Sequence, residues 1–131
     1  VDAIHLDSII DNPSYFSDPY STPDNDSSGS ILPGLSRAID LAHTRQDPSA
    51  KDPVMVWHLK PAGQGANRTA GVHSGSWEKR LIFEDDGTRI RSASAAVLIG
   101  IDPKLEGGKK RGWLFVTGFV SENAIAVKVD L

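Results

Sequence analysis

The sequence has no cysteine and a single methionine among its 131 residues, so neither disulfides nor thiolate-bound zinc can contribute to its fold. It also lacks any apolar run near the roughly 20 residues that a membrane-crossing helix needs, which predicts a soluble chain without a membrane span. Charge of one sign is missing too: 14 Lys and Arg stand against 17 Asp and Glu, for a net charge of −3, and the basic residues are scattered. That leaves no electrostatic footprint for nucleic acid. The one basic run, Lys109-Lys110-Arg111, reads as a solvated hairpin tip. What is present is ordinary globular composition, 39% hydrophobic and 24% charged, enough for one domain spanning residues 1–131.

Apolar stretches of strand length recur with turn residues between them. Strands are expected at 3–10, 54–59, 77–83, 93–101, 112–120 and 124–131. Asp86-Gly87, before Thr88, Arg89 and Ile90, has the chemistry of a hairpin turn, and Gly107-Gly108 separates the next two strands. Helical spacing occurs only at 34–44, through Leu35, Ile39 and Ala42, where a strand over 36–41 competes. Two long loops rich in Gly, Ser, Pro and Asn are expected at 17–33 and 60–76. The pattern is antiparallel all-β, which suits a sandwich or about two four-stranded blades of a β-propeller. Two blades alone would leave broad apolar faces open and would require the remaining blades as partner. The start at Val1, which enters a strand-like pattern almost at once, favours the propeller and an interior piece of a longer precursor.

Several motifs have ordinary readings. Asn25-Asp26-Ser27 and Asn67-Arg68-Thr69 make Asn25 and Asn67 candidate glycosylation sites and point toward a secreted protein. Asp24-Asn25-Asp26-Ser27-Ser28-Gly29 imitates the first half of an EF-hand loop, but Leu35 stands where a bidentate Glu is required, so a turn-rich insertion is expected. His5, His43, His58 and His73 show no ligand spacing, and the glycines around His73 and at 63–65 form neither a nucleophile elbow nor a dinucleotide fingerprint. Trp57, Trp77 and Trp113 fall within strands, as packing residues of the core or between blades. The Asp11-Asn12 pair differs in kind. A carboxylate beside a side-chain amide offers two hard oxygens, which suits calcium, and Pro13 stiffens the backbone behind them. A plain turn is the competing reading.

At Leu6-Asp7-Ser8-Ile9-Ile10-Asp11-Asn12 the chain resembles the calcium-dependent paraoxonase/arylesterase family, six-bladed β-propeller hydrolases related to the gluconolactonase-like and strictosidine synthase-like groups. Asp18-Pro19, Pro53 to Leu59, Glu84-Asp85-Asp86-Gly87 through Ser92-Ala93-Ser94, and Gly112-Trp113-Leu114-Phe115-Val116-Thr117-Gly118 follow the family's later motifs in order. One departure is Leu32-Pro33-Gly34, where the family has His-Pro-Asn-Gly. The resemblance implies the C-terminal blades of a propeller whose other blades lie outside this chain. It further implies Ca2+ held partly by Asp11 and Asn12, a channel lined by Ser92, Ser94 and Phe119, and secreted ester or lactone hydrolysis. The general base would then lie outside the chain. Two other classes remain open: a non-catalytic propeller that binds a partner through its long loops, and a metal-independent condensing enzyme like strictosidine synthase.

Overall fold

The computed structural model describes residues 3–37, 39–62 and 77–131. They form two antiparallel sheets, packed on one another. The first contains β1 (Ile9–Ile10), β2 (Ser14–Phe16), β3 (Gly29–Leu35), β4 (Val54–Pro61) and β5 (Trp77–Asp85), with β1 and β2 sharing one side of β3. The second is a three-stranded meander of β6 (Ala93–Ile101), β7 (Arg111–Gly118) and β8 (Ala124–Asp130). The expected antiparallel all-β class is therefore present, but the second sheet has three strands rather than four among the described residues.

Alternation explains how the sheets meet. Val54 and Val56 on β4 face the same way as Ile31 on β3, while Ala96, Leu98, Leu114, Val116 and Val129 come from alternate positions of the second sheet. With Phe16, Phe83, Ile90 and Ala93 they make one core between the sheets. Trp57, on the opposite face of β4, is buried under the chain's own leading segment: its Nε1 donates to Ser8 Oγ at 3.0 Å, and Lys79 Nζ lies 5.5 Å from its ring and donates to the His5 carbonyl. Trp77 and Trp113, expected to pack, are about two-fifths exposed here.

Four local expectations change. The strand at 3–10 shrinks to Ile9–Ile10 and resumes as β2 after a break at 11–13. The helix-or-strand ambiguity over 34–44 resolves into neither: Gly34 and Leu35 end β3, and only Leu41–Thr44 (α1) is helical. Residues 29–33 of the expected first loop are strand, because Ile31, Pro33 and Leu35 all reach the interior. Asp86-Gly87 does not join two paired strands. The Asp85 carboxylate accepts from the backbone N–H groups of Gly87 and Arg89, both at 3.0 Å, and the chain leaves for the other sheet instead of turning back. The expected loop at 60–76 lies largely outside the described residues; β4 runs into it as far as Pro61.

Of the basic run only Lys109 is solvated as expected. Lys110 Nζ sits 2.5 Å from Asp18 Oδ2 with both side chains nearly buried, and it also donates to the Asn25 carbonyl. Arg111 bridges Glu106 and Asp130. A short 3-10 turn, Pro103–Glu106, carries the connection from β6 to β7.

Candidate functional site

The break between β1 and β2 has a cause in the sequence. β1 ends with Ile10 opposite Gly34, and β2 starts with Ser14 opposite Ile31, so residues 11–13 lie beside Pro33 and Leu32. Pro33 has no N–H to give on that side, and Pro13 has none either. Only Asp11 stays on the ladder, its N–H donating to the Pro33 carbonyl at 3.0 Å. The chain then swings to the other sheet, where Asn12 forms a parallel bridge with Ala95. The Asp11-Asn12 pair thus occupies the seam where the edge of the first sheet meets the free edge of β6.

At this seam Asn12 is held twice by one atom: its backbone N–H and its side-chain amide both donate to the Ser94 carbonyl, at 3.1 and 3.0 Å. Because a carbonyl only accepts, the side-chain atom facing Ser94 is Nδ2, and Oδ1 is left for another partner. No hydrogen bond or ion pair among the described residues engages the Asp11 carboxylate, and both side chains are exposed. Two adjacent hard oxygens of this kind fit calcium in donor type. They are two of the six to eight oxygens calcium takes, so the rest of a shell has to come from elsewhere. No cluster of three or more His, Asp or Glu suited to a metal occurs among the described residues.

The other predicted site residues are placed differently. Ser94 meets Asn12 through its carbonyl, as described. Ser92 is fully buried: it has a positive φ of 51°, and its hydroxyl donates to Asp52 Oδ2 at 3.2 Å, so it lines no open channel. Phe119 is 70% exposed and is joined to Ser92 by a backbone bond, at the opposite end of β6 from Ile101. Asn25 is exposed in a tight bridge with Thr22, and Asn67 lies outside the described residues, as does His73.

Ser92 belongs to a lock that sequence reasoning missed. Arg91 donates to Asp52 at 2.7 Å and also to the Asp47 and Thr44 carbonyls. Thr44 Oγ1 donates to the same carboxylate. Burial pushes the Asp52 carboxyl upward, but the Thr44, Arg91 and Ser92 donors outweigh it and hold it below the ordinary carboxylate range. Asp18 behaves likewise: burial works upward, while Lys110 and the Tyr20 and Ser27 amides bring it down. Both carboxylates are committed to holding loops.

The EF-hand-like run forms one wall of a cleft of about 150 Å³ lined by Asp24, Asn25, Asp26, Ser28, Lys60, Pro61 and Glu78. Asp26 spends an oxygen on the Ser28 amide, and Glu78 pairs with Lys60 at 3.4 Å. The run is a turn leading into β3, as its missing twelfth ligand implies. Beside it, His58 is buried with Nε2 unpartnered among the described residues. Burial lowers its pKa, the charges of Lys60 and Arg80 lower it further, and hydrogen bonding to the Ser27 backbone works the other way.

No family model matches the chain, and no curated protein or solved structure matches it significantly. No helix among the described residues is long and apolar enough to cross a membrane.

Proposed function

We propose that this chain forms consecutive blades of a β-propeller hydrolase that acts on esters or lactones with calcium, and that Asp11 and Asn12 are two of the metal ligands. The observation that carries the reading is the Asn12 amide. Its nitrogen is committed to Ser94, which leaves Oδ1 available beside an unengaged Asp11 carboxylate at the seam between two sheets.

The blade reading is supported by order. β2 to β5 and β6 to β8 each run as an antiparallel meander in chain order, with β1 beside β2 on the same side of β3, and the link from β5, the far edge of the first sheet, returns to β6 beside β2 and β3. It is supported also by the outer face of the second sheet, where Val97, Ile99, Trp113 and Phe115 are 41–54% exposed, as a blade face would be without its neighbour. Bound calcium would supply Lewis acidity toward a substrate carbonyl. This chain's own part is to hold oxygen ligands, while the group that activates water belongs to the remaining blades.

In the complete protein, Asp11→Ala is expected to abolish chelator-sensitive hydrolysis of aryl esters and lactones, with calcium content falling in parallel. Activity and calcium content equal to those of the unaltered protein would remove the assignment.

A further inference from the structure

The seam contains a second side chain on the same edge of β6. Ser14 Oγ donates to the Ala96 carbonyl at 2.7 Å, two residues along from the Ser94 carbonyl that holds Asn12. The spacing matches because Asn12 runs parallel to Ala95: two residues on one strand advance as far as two on the other, about 6.6 Å at 3.3 Å per residue. Carbonyls two apart on a strand share an edge, and the opposite edge of β6 is taken by β7. Asn12 and Ser14 therefore satisfy carbonyls of β6 that have no strand to pair with.

Between the two anchors lies only Pro13. Its ring fixes its own φ and restricts Asn12, the residue before it, to extended backbone. Residues 12–14 form a short stiff span pinned at both ends, and the direction of Asn12 Oδ1 follows from where the span is pinned.

The geometry points to Ser14 as a positioning residue for Asn12: its bond to Ala96 sets residues 12–14 along the edge of β6 and so fixes the orientation of the Asn12 oxygen toward calcium. This inference rests on the calcium reading above. Without the Ser14 bond the span keeps its hold on β3, through Asp11 on the Pro33 carbonyl and Ser14 opposite Ile31, but on the β6 side it keeps one anchor atom, the Ser94 carbonyl, so Asn12 is less closely fixed against β6.

The test uses the complete protein with Ca2+ alone, titrated calorimetrically, and with Tb3+ as a luminescent probe of the ligand shell. Ser14→Ala is expected to weaken Ca2+ binding about 10-fold, the lower end of what loss of a ligand's support does to metal sites, and to admit more water to bound Tb3+. Ser14→Thr, which keeps the hydroxyl, is expected to restore binding, and Ser14→Val, of the same shape without it, is not. In metal-free protein, Ser14→Ala and Ser14→Val are expected to speed amide exchange at Asn12. Ca2+ binding unchanged in Ser14→Ala and Ser14→Val, while Asn12→Ala weakens it, would overturn the positioning role and leave Asn12 as a ligand. A lower Tm with an unaltered Ca2+ affinity would overturn it as well. Failure of the unaltered protein to bind Ca2+ would instead remove the calcium reading, and this inference with it.

Discussion

His58 is the residue whose burial has the clearest consequence for pH. It stands opposite Ile31 and Arg80 in the first sheet, against Gly29, where an added Cβ would fall 2.7 Å from Nε2. Burial first, then the charges of Lys60 and Arg80, lower its pKa from 6.5, against the Ser27 backbone and Glu78, which work the other way. The folded protein therefore binds fewer protons here than the unfolded chain, so stability rises with pH in the window below 6.5 and stops changing above it. As pH falls from 6.5 toward the lowered folded value, His58 is expected to withdraw stability at up to about 1.4 kcal/mol per pH unit. His58→Gln should flatten that part of the curve. Denaturant melts of both proteins between pH 7 and pH 5 check this, and an unchanged slope would mean that another group titrates there. Of this, only the presence of an isolated histidine in a strand was legible in the sequence. Its burial depends on Gly29, which meets it from the neighbouring strand.

Among the elements, the strands at 54–61, 77–85, 93–101, 111–118 and 124–130 were legible because long apolar or alternating runs favour one answer. The break at 11–13 was legible only through Pro13, since its other cause, Pro33, lies far off in sequence and comes beside the break only after pairing. Asp86-Gly87 misled for a related reason: turn chemistry reports a change of direction, and the destination is set by which core the next strand fills. The basic run misled because nothing local reveals that Asp18 awaits Lys110. That pair ties the 17–28 segment to the second sheet through Asp18 and the Asn25 carbonyl. Lys110→Met removes the cation and leaves a nearly buried carboxylate, a change that costs about 3 kcal/mol in comparable sites. Limited proteolysis is expected to cut within 17–28 earlier in this variant than in the unaltered protein. Equal protection would show that the Tyr20 and Ser27 amides suffice to hold Asp18.

For the molecule as a whole, the two faces of each sheet differ in what covers them. The inner faces close on each other, and the outer face of the first sheet has Trp57 tucked beneath Ser8 and Lys79. On the outer face of the second, two rows cross all three strands: Val97, Phe115 and Ala126 in one, Ile99, Trp113 and Lys128 in the other. Lys128, 5.5 Å from the Trp113 ring, lies over part of this surface, and the four large apolar side chains stay 41–54% exposed. Four large apolar side chains in register make a face built like the inner one, and a neighbouring blade of the proposed propeller is its expected cover. Phe115→Lys tests this in the complete protein. Beneath another sheet the ammonium would be forced out of water, and a loss of about 3 kcal/mol or more is expected in denaturant melts. On a solvated face the same change falls within about 0.5 kcal/mol. Asn123→Lys, exposed in the turn between β7 and β8, controls for added charge beside the same strand. Equal stability of both variants would leave the outer face in water and remove this support for a propeller. A loss confined to Phe115→Lys would mean that the chain's open face is an interface, with the Asp11-Asn12 seam inside a larger assembly of sheets.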